Sequence, residues 1–154
     1  MPIKVKRVPF DYAFPLLGLT GTTNSDQPQP LQLADDAPFE QVGWMMRVSP
    51  GQTFGSVVSP PVMRVIDQSN GWQFSNGGIS ILNFGCSTVA LDLLIPFVVP
   101  YIWMPSSQAE VIVTDTTANG PLNWTLQLVM KGYKLFAPDG SQLSLYPEQQ
   151  QAAA

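Results

Sequence analysis

Leu122-Asn123-Trp124-Thr125-Leu126-Gln127-Leu128-Val129-Met130 decides the fold class. Leu122, Trp124, Leu126, Leu128 and Met130 share one face of an extended chain, and Asn123, Thr125 and Gln127 share the other. Side chains of a strand alternate with period two, so this stretch predicts a strand with one buried and one wetted face. Gly132-Tyr133-Lys134-Leu135-Phe136 continues or restarts it. Upstream, Gln41 to Val48 alternates in the same way: Val42, Trp44, Met46 and Val48 face the core, and Gln41, Met45 and Arg47 face away.

Further strands are expected at Val62–Asp67, Trp72–Phe74, Ile79–Phe84, around Leu91–Ile95, and at Glu110–Asp115. Gln68-Ser69-Asn70-Gly71 is a hairpin turn signal. Seven or eight short strands with such turns predict an all-β chain, an antiparallel two-sheet sandwich with a jelly-roll-like topology. The 15 prolines and 12 glycines disfavour helix interiors, and no apolar 3.6-residue period is sustained.

Three regions are expected: an extended arm over 1–38, a sandwich over 39–146 and a frayed tail over 147–154. The first carries Pro2, Pro9, Pro15, Pro28, Pro30 and Pro38, and proline forces extended geometry. It also carries Phe10, Tyr12, Phe14, Leu16, Leu17 and Leu19, more apolar weight than a linker has. The arm therefore packs, on its own domain or on a neighbour. The body is expected to fold without it.

Composition narrows the chemistry. The 154 residues fit one domain. They are 45% hydrophobic and only 12% charged, against about a quarter charged in an ordinary domain. Either other protein covers much of the surface, or Ser, Thr, Gln and Asn wet it. Histidine is absent, which removes the commonest general base and transition-metal ligand. The single cysteine, Cys86, forms no internal disulfide and reads as a small buried hydrophobe. No catalytic residue, metal or cofactor is expected. Asp35-Asp36 reads as a solvated turn, Asp115 to Gly120 lacks the closing Glu of a calcium loop, and Asn123-Trp124-Thr125 is a glycosylation triplet inside a strand. The start, Met1 to Arg7, does not read as a signal peptide. Val89–Met104, the most apolar window, holds Asp92, Pro96 and Pro100 and is too short for a membrane helix. A soluble chain, not exported by the usual route, is expected.

Lys4, Lys6 and Arg7 against Asp11 leave the first twelve residues at +2. The remaining four basic and ten acidic residues carry −6, in line with the net −4. Three cations are too few for firm nucleic-acid binding, so none is expected, and an acidic patch on a neighbouring subunit suits them better. Trp44 and Trp124 read as core. Trp103, after Pro96-Phe97-Val98-Val99-Pro100-Tyr101-Ile102, reads as an interface residue. The expected partner-binding set is Lys4, Lys6, Arg7, Phe10, Tyr12, Phe14, Phe97, Tyr101 and Trp103.

From Phe39 to Phe136 the pattern resembles small tailed-bacteriophage virion proteins. The resemblance rests on the Arg64-Val65-Ile66-Asp67-Gln68-Ser69-Asn70-Gly71 hairpin, the Asn83-Phe84-Gly85 segment, a proline-broken apolar loop, and a closing strand ending Met130-Lys131-Gly132-Tyr133-Lys134-Leu135-Phe136. It implies a non-enzymatic jelly-roll cement or decoration subunit, made in the host cytoplasm and placed on the capsid surface. Its partners would be the major capsid protein, copies of itself, or both, clasped by terminal arms. Two alternatives stand beside it: a carbohydrate- or receptor-binding β module of a fibre or adhesin, and a neck or tail connector protein.

Overall fold

The computed structural model describes residues 4–19, 26–50, 61–84, 93–114 and 124–143. The described residues form ten strands: β1 (Lys6–Ala13), β2 (Leu17–Leu19), β3 (Asp26–Gln32), β4 (Phe39–Pro50), β5 (Val62–Asp67), β6 (Trp72–Gln73), β7 (Ile79–Ser80), β8 (Leu94–Trp103), β9 (Gln108–Thr114) and β10 (Trp124–Phe136). One sheet runs β1-β10-β4-β8, with β2 also on β10. The other runs β3-β9-β5-β6, with β7 also on β5. Every pairing is antiparallel. The pairs nest: β1 with β10, β3 with β9, β4 with β8, and β5 with β6. This is one long hairpin rolled into two facing sheets, the winding of a jelly roll. The all-β, two-sheet, jelly-roll-like fold expected from the sequence is the fold observed.

The alternating strands build the core as expected. Met63 and Val65 of β5, Ala109, Val111 and Val113 of β9, and Leu126, Leu128 and Met130 of β10 are buried. The turn after β5 is the one its residues specify. Gly71 takes φ 73°, its amide donates to the Asp67 carbonyl at 2.8 Å, and the Asp67 carboxylate accepts from the Ser69 amide at 2.9 Å. Leu122, Cys86, Asn123, residues 115–120 and the tail lie outside the described residues, as does the Trp124 side chain.

Four expectations need correction. First, the arm does not stand apart from the body: of the two alternatives open to it, its described part packs on its own domain. The first segment is extended, as its prolines require, but it supplies edge strands to both sheets. β1 and β2 lie along β10, and β3 lies along β9. An edge strand has one row of backbone groups without a ladder partner, so it tolerates the missing N–H of Pro9, Pro28 and Pro30. Between β1 and β2 the chain jogs at Phe14-Pro15-Leu16. The Phe14 amide donates to Leu128 O at 2.9 Å and its ring enters the core.

Second, Val42 does not face the core. It is the extra residue of a bulge: Gln41 stands opposite Gly132 and Gly43 opposite Lys131. A bulge shifts the alternation by one. Phe39 and Gln41 therefore point inward on one side of it, and Trp44 and Met46 on the other. The two glycines flanking the bulge are required by close approach. A Cβ on Gly132 would overlap the Glu40 carbonyl oxygen, and one on Gly43 the Ile95 carbonyl oxygen.

Third, Ile79–Phe84 is not one strand. β7 is two residues long, and Ile81–Phe84 forms a 3₁₀ turn. Residues three apart eclipse in that geometry, which buries Ile81 and Phe84 together. Fourth, the proline-broken stretch after Pro96 is not a loop but part of the edge strand β8.

Candidate functional site

β8 lies at the edge of its sheet, and β6 and β7 lie on the corresponding side of the other. Between them runs a groove of about 550 Å³. Its lining includes Trp72, Phe74, Ile79 and Phe84 from the β6–β7 side and Phe97, Val98, Val99 and Tyr101 from β8. Among the described residues no charged side chain lines it. The aromatic rings interlock edge to face. Trp44 meets Phe74, Phe84 and Phe97 at centroid distances of 5.6, 5.9 and 5.7 Å, and Phe74 stacks on Trp103 at 5.6 Å.

One wall of the groove protrudes. Tyr101 stands opposite Gln41 and Pro96 opposite Gly43, so four residues, Phe97-Val98-Val99-Pro100, span what Val42 alone spans on β4. The surplus chain is pushed out between two prolines. Phe97 turns in against the aromatic cluster, Val98 is fully exposed and Val99 is 75% exposed. Across the groove Trp72 is 57% exposed. The result is an apolar ridge beside an apolar groove.

Tyr101 fixes one end. Its hydroxyl donates to the Asp67 carboxylate at 2.9 Å and accepts from the Asn70 amide at 3.0 Å. Burial raises the Tyr101 pKa above its ordinary value; the Asn70 amide works against that, and the Asp67 carboxylate adds to it. This network ties the β5–β6 turn to β8 and holds the two edges at a set spacing.

The residues expected to bind partners separate into three groups. Tyr12, Phe14 and Trp103 are buried in this chain's own core and do not form an interface. Tyr12 packs on Phe39 at 4.9 Å and its hydroxyl accepts from the Ala34 amide. Trp103 is 0% exposed and donates its indole N–H to Gln41 Oε1 at 2.8 Å. The Trp103 side chain points inward because Phe39 and Trp103 pair on the core side of the bulge.

The basic group serves its own fold in part. Arg7 grips Glu40 with both Nε and Nη2, at 2.8 and 2.9 Å, whereas Lys4 and Lys6 are exposed. Phe10 is partly exposed, with Lys134 Nζ 4.1 Å from its ring centroid and bound to Asp36. Asp36, expected to be merely solvated, is thus an ion-pair partner. Phe97 and Tyr101 alone of the set line the groove. The sequence reading missed Trp72, Phe74, Ile79 and Phe84 as their companions. The Trp72 signal was available, since a Trp directly after a tight Asn-Gly turn has little strand around it to bury it.

Among the described residues no group of three or more His, Cys, Asp or Glu could hold a metal ion, and no helix is long and apolar enough to cross a membrane. Compared with known proteins, the chain matches no family model, no curated protein and no solved structure.

Proposed function

We propose that the chain is a non-enzymatic structural subunit of a virion. It acts as a capsid cement or decoration protein that binds across major capsid protein subunits and stabilises the shell. The observation that carries this reading is the uncharged ridge and groove at β8. Contiguous apolar surface of this kind marks protein contact sites. The buried acids serve structure, Asp67 in the turn and Glu40 with Arg7. The pattern from Phe39 to Phe136 and the jelly-roll-like winding add support, since jelly rolls are frequent in capsid proteins. The mechanism is buried area: a subunit seated across a junction must be stripped off before the shell can expand.

On this reading attachment uses β8 and not an N-terminal arm, since Tyr12 and Phe14 are already committed to the core. Lys4 and Lys6 remain exposed and add a salt-sensitive contact to an acidic neighbour. The test is to raise an antibody to the purified chain and apply it to intact tailed-phage particles. Labelling over the shell in electron micrographs, and particles that rupture at lower temperature when the chain is removed, are expected. Absence of the chain from purified particles overturns the reading.

A second reading is a carbohydrate-binding module of a fibre or adhesin. The exposed Trp72 ring at the groove and the hydrogen-bonding Asn70–Tyr101 pair near it favour this one. Saturable quenching of tryptophan fluorescence by an oligosaccharide, lost in Trp72→Ala, would select it.

A further inference from the structure

We propose that β8 is a two-fold interface at which a second copy of this chain docks, the Val98-Val99 ridge of each copy seated in the Trp72–Phe74–Ile79 groove of the other. The contact deepens the reading as a shell subunit by naming the surface through which copies meet.

Three observations choose this occupant. The first is shape. A ridge and a groove lie side by side on one molecule, and Val98 and Val99 are themselves a wall of that groove. A two-fold contact uses one patch twice, so it needs convex and concave parts together in each copy. The second is charge. The chain carries −4, and two copies repel over most approaches. The described residues of the groove lining hold no charged group, so contact with them desolvates none.

The third is area. Val98 and Val99 on the ridge, with Trp72 and Ile79 across the groove, are the exposed apolar side chains that line it. At ordinary side-chain sizes they expose on the order of 450–500 Å², the size of a typical monomer's largest apolar patch, which is often functional. A standard interface takes about 800 Å² per partner, so these side chains supply its apolar centre and the surrounding rim must supply the rest.

A strand added along β8 is a poorer occupant. Pro96 and Pro100 lack the N–H that a strand ladder needs, and the bulge between them breaks the register. The contact is made by side chains.

Sedimentation equilibrium of the purified chain tests this without any particle, so it can fail independently of the virion reading. The average mass should rise with concentration from 16.8 kDa toward twice that value. Trp72 emission should shift to shorter wavelength over the same range as water leaves its ring. Val98→Asp combined with Val99→Asp places charges at positions exposed in the single chain, so folding is retained, as circular dichroism and urea midpoints will report. In the dimer those charges are buried unpaired, and association should weaken at least a hundredfold. Trp72→Ala should also weaken it, by removing the opposite wall. A wild-type chain that stays monomeric up to its solubility limit overturns the proposal. So does a dimer that survives the double aspartate substitution.

Discussion

Replacing Trp103 with Phe tests whether this residue is core or interface. Trp103 is fully buried, and its indole N–H donates to Gln41 Oε1 at 2.8 Å. Gln41 is buried too, and its amide donates to Gly43 O at 3.1 Å. Phe leaves on the order of 40 Å³ empty, about 1 kcal/mol at ~24 cal/mol per Å³. It also orphans the Gln41 oxygen in the core, which costs about 1–3 kcal/mol. The expected loss is therefore about 2–4 kcal/mol, a large share of a typical domain's 5–15 kcal/mol. Gln41→Leu should cost a similar amount, because it orphans the indole N–H and the Gly43 carbonyl. The double substitution removes acceptor and donor together. It should be milder than the sum of the two by about 1–2 kcal/mol. Urea unfolding followed by circular dichroism measures all three. A loss below about 1 kcal/mol for Trp103→Phe, or strict additivity in the cycle, would refute the buried pair.

Gly132→Ala should destabilise by about 1–3 kcal/mol, because its Cβ would collide with the Glu40 backbone; Gly18→Ala, with nothing within 4 Å, should cost no stability in the same urea titration. Deleting residues 1–19 should abolish folding rather than only weaken attachment. It removes the buried Tyr12, Phe14 and Leu17 and the edge partners of β10, and each aromatic alone is worth about 3–5 kcal/mol. A cooperative thermal transition in the truncated chain would count against this. Stability should fall as pH rises past about 10. The folded chain holds the Tyr101 proton more tightly than the unfolded chain, so the contribution is whole below the unfolded pKa and lost as pH climbs through the folded one. Tyr101→Phe should flatten that part of the pH profile of the urea midpoint.

Local alternation revealed the sandwich because half-buried strands write period two directly into the chain, as at Val62–Asp67 and Leu126–Met130. It failed where a property belongs to the sheet and not to the strand. Pro28 and Pro30 look alike in a coil and on an edge, and only the pairing with β9 tells them apart. Val42 reads as core until the register with β10 exposes the extra residue. Trp103 reads as interfacial because it follows the most apolar, proline-broken run of the chain. Its partner Gln41, a polar residue placed by the same bulge on the core side, cannot be guessed from spacing. Half the groove was legible in the apolar run holding Phe97 and Tyr101. The other half comes from a strand edge brought opposite by the winding, and no local pattern encodes which edges meet.

The nested pairing also constrains when this molecule can exist during synthesis. Lys6 waits for Phe136, and Ala13 waits for Val129. While the ribosome is still adding β10, the nascent chain cannot close the sheet to which β1, β4 and β8 belong, and Tyr12 and Phe14 have no core to enter. Contacts so distant in sequence form slowly, because the loop must close before anything rewards it. The edge carrying Val98 and Val99 takes its final form only when β10 has seated β4. The apolar edge at β8 thus takes its shape only once β10 is in place, late in the making of the chain.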